Sequence, residues 1–107
     1  MIRIDITETE QEYKLIMSGH ADYNPGNDIV CAAASILGQT AVQVMYELEE
    51  TGQVEMIHDI VSNGKIYLEV KASGSESVLF ERMQTIRTGF ELLSSTYPDH
   101  VRFGWGS

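Results

Sequence analysis

With 107 residues and 43% hydrophobic side chains, the chain is long enough for one core without disulfide staples and too apolar for general disorder. Sixteen acidic against seven basic side chains leave a formal charge of -9, which excludes the basic footprint of a nucleic-acid binder and suits a cationic partner or plain solubility. One cysteine excludes an internal disulfide; with no apolar run read as a membrane span and no secretory core at the N-terminus, a cytoplasmic protein is expected.

Residues 1–107 read as a single domain without repeats or linkers. Ile2, Ile4 and Ile6 alternate with polar residues, the period of a half-buried strand. After a polar turn at Glu8–Glu12, the alternation resumes through Tyr13, Leu15 and Met17, which predicts a hairpin. Gly19 then opens a loop containing Asn24-Pro25-Gly26-Asn27, residue types that turn a chain back on itself. Gly26 is expected to supply a positive φ there. From Cys31 to about Glu50 the period becomes helical, with Ala33, Leu37, Thr40 or Ala41, Val44 and Leu48 as the expected stripe and Ile36 beside it. Asp28 stands where it could cap the N-terminus and Gly52 where it could end the helix. Glu47, Glu49 and Glu50 crowd the negative end of the dipole, and the sequence offers no reason for them.

Val54–Val61 and Lys65–Lys71 are strands joined around Asn63-Gly64, a strong hairpin signal. Ser73-Gly74-Ser75 opens a second helix reaching about Ser95, striped by Leu79, Met83, Ile86, Phe90 and Leu93. Pro98 follows, and Val101, Phe103 and Trp105 form a last strand. The order β-β-α-β-β-α-β predicts an α+β fold: a mixed, mainly antiparallel sheet packed by two helices.

The residues that carry chemistry are His20 and Cys31. A lone cysteine is ordinarily a small buried hydrophobe, and a loop histidine ordinarily has no special task. Here the thiol falls on the first turn of a helix, where unpaired N–H groups and the dipole favour a thiolate and lower a thiol pKa. A carboxylate at Asp28 approaching the sulphur would act in the opposite sense. The doubled-back loop can bring the imidazole to that thiol, the minimum for a cysteine nucleophile and its base. Ser35, one turn beyond Cys31, either reaches into the site or bonds back to the Cys31 carbonyl. His58 and His100 read as structural or solvated. With one cysteine there is no ligand set for a structural zinc, and neither metal nor cofactor is expected.

Gly19-His20-Ala21, followed by Asp28-Ile29-Val30-Cys31-Ala32-Ala33 and Ser35, resembles the signature of the Prp family, the ribosomal-processing cysteine proteases. Length, acidic character and element order resemble that family over the whole chain. The resemblance implies a cytoplasmic endopeptidase with a Cys31–His20 dyad that removes the short N-terminal extension of a basic large-subunit ribosomal protein, cutting after an apolar, aromatic-containing stretch. It also implies a homodimer and a flexible loop over the site, here Asp22, Tyr23, Asn24, Gly26 and Asn27, with Gly19, Asp28 and Ser35 in support. Backbone N–H groups of Cys31 and Ala32 are the expected oxyanion donors. Two other readings remain: a non-catalytic acidic binding module in ribosome assembly, and a redox-sensing thiol that needs no particular histidine.

Overall fold

The computed structural model describes residues 1–106. Strands β1 (Ile2–Glu8) and β2 (Glu12–Ser18) form the first hairpin, and α1 (Ile29–Glu50) follows the loop. The second hairpin, β3 (Val54–Ser62) and β4 (Lys65–Ala72), leads through α2 (Glu76–Thr96) to β5 (Val101–Gly106). The sheet order is β3-β4-β2-β1-β5, antiparallel except for the β1–β5 pair. This is the α+β arrangement expected from the sequence, in the expected element order.

Strand alternation explains which face is covered. Ile2, Ile4, Ile6, Tyr13, Leu15 and Met17 are buried while Arg3, Asp5 and Glu12 are not, so the helices lie on the face that the odd–even pattern marked as apolar. The α2 stripe is buried as expected, at Leu79, Met83, Ile86, Phe90 and Leu93. Phe90 stacks on Phe103 of β5 with ring centroids 5.9 Å apart.

Of the expected α1 stripe, Ala41 and Leu48 are buried, and the other members lie one position off the buried line. Val30, Ala34, Gly38, Ala41, Val42, Met45 and Leu48 are buried, whereas Ala33, Leu37 and Val44 are half-buried and Ile36 is exposed. The reason is that α1 has two packed faces. At Gly38 it lies against the sheet: a Cβ there would overlap Ile66 Cδ1 and stand 3.1 Å from Met17 Cε. Leu37 turns toward α2, its Cδ2 lying 2.8 Å from the place a Cβ would occupy at Gly89. Choosing Leu37 over Gly38 by side-chain size therefore marks the helix–helix contact and misses the helix–sheet contact at that turn.

At 22 residues, α1 is also long and apolar enough, by length and composition, to cross a membrane, where the sequence reading saw no such run. Here that apolarity is used against the sheet and α2. The acidic C-terminal turn has a structural use as well: Glu49 Oε2 accepts the Met56 N–H at 2.8 Å, beside the register shift between Met56 and His58 on the edge strand. An edge strand leaves outward N–H groups without a cross-strand partner, and the carboxylate takes this one.

Candidate active site

Asp28 starts α1 and shapes the loop before it. It is the N-cap, as expected, and its Oδ1 accepts the N–H groups of Val30 and Cys31, each at 3.0 Å. Its Oδ2 accepts Tyr23 N–H at 2.9 Å and Asn24 N–H at 3.4 Å, so one carboxylate ties both ends of the turn together. These bonds to the charged form, that of Cys31 first, hold the Asp28 carboxyl below its ordinary value. Asn24 to Asn27 close as a β-turn, Asn27 N–H donating to Asn24 C=O at 3.1 Å with Gly26 at φ +86°. Proline second and a positive-φ glycine third are what a type II turn requires.

The half-buried Cys31 thus stands in the first turn of α1, and the Ala21 N–H donates to its Sγ at 3.2 Å. Ala21 itself is only 1% exposed, its methyl group sunk into the core between His20 and the strained Asp22, which has φ +54°. His20 follows Gly19 at the end of β2. Its ring rests on the β3–β4 turn, Nε2 lying 3.0 Å from where a Gly64 Cβ would be, and Gly19 N–H donates to Gly64 C=O at 3.0 Å. The Met1 ammonium donates to the His20 carbonyl at 2.6 Å and lies 3.6 Å from Asp22 Oδ2.

His20 and Cys31 line one cleft of about 290 Å³. Ser35 and Gln39 of α1 form part of its wall, and Ser62, Asn63, Gly64 and Lys65 of the second hairpin form the opposite part. The imidazole and the thiol share this space without a hydrogen bond between them among the described residues; the sulphur's partner is Ala21 N–H. Catalytic hydrogen bonds often tighten only when substrate is bound.

Several expected supporting roles fall differently. Neither expected oxyanion donor is free: Cys31 N–H is bound to the Asp28 carboxylate and Ala32 N–H to the Asp28 carbonyl at 3.1 Å. The cap that starts the helix takes the first N–H groups for itself. Asp22, Tyr23, Asn24, Gly26 and Asn27, expected to cover the site, do not line the cleft. Asp28 draws that loop inward, and Tyr23 packs edge-on against Tyr97 at 5.4 Å and His100 at 5.2 Å. Ser35 does not bond back to the Cys31 carbonyl; it faces the cleft, where its Oγ accepts from Gln39 Nε2 at 2.9 Å. Among the described residues no three His, Cys, Asp or Glu side chains gather as metal ligands.

Sequence reasoning missed Gln39 and the hairpin wall. Asn63-Gly64 announced a turn, yet only the β2–β4 register, with Ser18 opposite Lys65, puts that turn beside His20. His100 was read as structural or solvated, and its Nδ1 lies 2.9 Å from the Ala21 carbonyl oxygen.

A thiol in the first turn of a helix, sharing a cleft with an imidazole, on an α+β frame, defines a cysteine-protease-like domain. The chain belongs to the family described as Cysteine protease Prp, whose match covers residues 1–102. It is a peptidase of the cysteine class by that membership. An essential ribosomal processing protease Prp from S. aureus, crystallised with a covalently linked product peptide, matches at 27% identity and TM-score 0.73, over 98% of this chain and 99% of that one. The S. aureus protease with a substrate peptide matches at 23% identity and TM-score 0.71, over 98% and 99%. SMU.848 from Streptococcus mutans shares the fold at 22% identity and TM-score 0.67, over 100% and 96%. None of the curated proteins matches this chain.

Proposed function

We propose that this chain is a cysteine endopeptidase that removes the N-terminal extension of a large-subunit ribosomal protein, with Cys31 as nucleophile and His20 as its base. The observation that carries the assignment of roles is the shared cleft, lined by His20 and by Cys31, whose sulphur already accepts a backbone N–H. Family membership supports the chemistry, and the S. aureus relatives, described as ribosomal processing proteases with peptides bound, support the substrate class. The cytoplasm, where ribosomal proteins are made, is the proposed compartment, and a homodimer the proposed assembly; sedimentation would test the latter.

In this mechanism His20 takes the thiol proton as Sγ attacks the scissile carbonyl carbon. The C–N bond breaks, protonated His20 delivers its proton to the leaving amine, and a thioester joins the acyl half to Cys31. Water, deprotonated by His20, then attacks the thioester and releases the acyl half as a carboxylate. Because Asp28 holds the Cys31 N–H, that donor can serve the oxyanion only if the cap bond is exchanged for it.

The test is incubation of the extended ribosomal protein from the same genome with wild type and Cys31→Ala, read by mass spectrometry. One cut near the precursor's N-terminus, lost in the variant, is expected. An intact but bound precursor sinks the proposal in favour of a binding module, and sulphur oxidation alone favours a redox sensor.

A further inference from the structure

We propose that His100, remote in sequence from the thiol, is a positioning residue for it: its Nδ1–H holds the Ala21 carbonyl so that the Ala21 N–H stays aimed at Cys31 Sγ. The inference rests on the reading of Cys31 as nucleophile and adds to it the element that orients its backbone donor.

The path is short. The ring nitrogen Nδ1 lies 2.9 Å from the Ala21 carbonyl oxygen, and the N–H of the same residue donates to Sγ at 3.2 Å. A carbonyl oxygen can only accept, so Nδ1 carries the hydrogen in this bond. Ala21 is thereby held on both of its polar groups. It needs to be, because the flanking loop has no strand or helix ladder to orient it and the next residue, Asp22, sits at φ +54°, a conformation that does not hold itself.

His100 is fixed in turn. Its N–H donates to Tyr97 C=O at 3.0 Å, its C=O accepts Ile2 N–H at 2.9 Å, and its ring meets Tyr23 edge-on at 5.2 Å. The end of α2 and the start of the β1–β5 pair thus set the place of a side chain that reaches back to the active-site loop. The histidine touches neither the sulphur nor the cleft.

The test separates the bond from the ring. His100→Phe keeps an aromatic edge for Tyr23 and removes the donor; His100→Asn keeps a side-chain N–H near Nδ1 and removes the ring. Each is read by the pH profile of Cys31 alkylation with iodoacetamide, which requires no protease activity, and by kcat and KM on a precursor peptide. The groups that titrate around this loop are His20, Asp22, Tyr23 and Asp28 on it, the Met1 ammonium, Tyr97 and Asp99 at the α2–β5 turn, and Lys65 across the cleft. All of them remain in both variants.

In His100→Phe the alkylation profile is expected to move to higher pH, with alkylation at neutral pH slowed about two- to tenfold, the equilibrium worth of one ordinary hydrogen bond. kcat falls and KM stays near the wild-type value; His100→Asn recovers most of both. His100→Ala replaces His100→Phe if the larger ring prevents folding. A His100→Phe profile that superposes on wild type overturns the proposal, and so does a His100→Asn profile displaced as far as that of His100→Phe. Failure of the underlying reading is a separate result, namely a Cys31→Ala protein that still cuts.

Discussion

Gly64→Ala should cripple catalysis through His20 rather than through the fold, and Gly52→Ala supplies the control. Both glycines have nearly the same left-handed backbone, φ +75° and +76°. An L-residue there costs about 1–2 kcal/mol. Alanine's smaller unfolded-state entropy returns roughly 0.4–1 kcal/mol of that. Each variant should therefore lose about 1 kcal/mol and drop in Tm by about 4–8 °C. The two differ in what the new methyl group meets. At Gly52 nothing lies within 4 Å, whereas at Gly64 the Cβ would stand 3.0 Å from His20 Nε2 and 3.2 Å from Cε1. Comfortable separations between such atoms begin near ~3.5 Å, so the ring must move by about half an ångström. A misplacement of 1 Å costs about 10²-fold, so roughly tenfold in kcat is expected. The assay is steady-state cleavage of a precursor peptide with both variants at matched folded fraction. A displaced base lowers kcat, whereas a methyl that merely obstructs the cleft raises KM. Equal kcat in Gly64→Ala and Gly52→Ala would refute both the contact argument and the role given to His20.

Two further outcomes follow from charge. Asp28 has its folded-state carboxyl held below its ordinary value of 3.8, so its contribution to stability is complete above that pH and is lost as pH falls through the lower folded value. Chemical denaturation at descending pH should therefore show a smaller acid loss below about pH 4 in Asp28→Asn than in wild type; parallel curves would remove Asp28 from that role. The net charge of -9 should steer a basic precursor, since its field reaches over a Debye length of ~8 Å at physiological salt. kcat/KM should then fall as salt rises, and a flat dependence would leave the charge to solubility alone.

What could be read in the sequence was whatever neighbours along the chain decide. Ile2, Ile4 and Ile6, the α2 stripe, the Asp28 cap and the Asn24–Asn27 turn are set by period or by the needs of one turn, and each lies where those rules put it. At Gly38 the α1 reading was displaced because glycine carries no hydrophobic signal, while it is what lets the helix approach Met17 and Ile66 of the sheet. Of the cleft, the sequence marked His20 and Cys31 and left the walls around them unmarked. His20 rests on Gly64 and Ala21 is held by His100 only because β2 pairs with β4 and β1 with β5. No local pattern announces those pairings. The Cys31 N–H is engaged for a related reason: a good N-cap consumes the N–H groups that a helix start otherwise offers.

The sulphur's place in this loop bears on how an inactive enzyme should be made. Cys31 Sγ is a structural acceptor as well as the proposed nucleophile, because it takes the N–H of the buried Ala21. Cys31→Ala removes that acceptor and leaves a buried donor without a partner, at a cost of about 1–3 kcal/mol. Cys31→Ser keeps an acceptor within a few tenths of an ångström of the same place. Helix propensity works the other way, favouring alanine over serine by up to about 0.5 kcal/mol. The orphaned N–H is the larger effect, so Cys31→Ser should be the more stable protein in urea, although both should be inactive. If Cys31→Ala is as stable as Cys31→Ser or more so, the Ala21 N–H is not held by the sulphur in solution. The orientation ascribed to the active-site loop then loses its support.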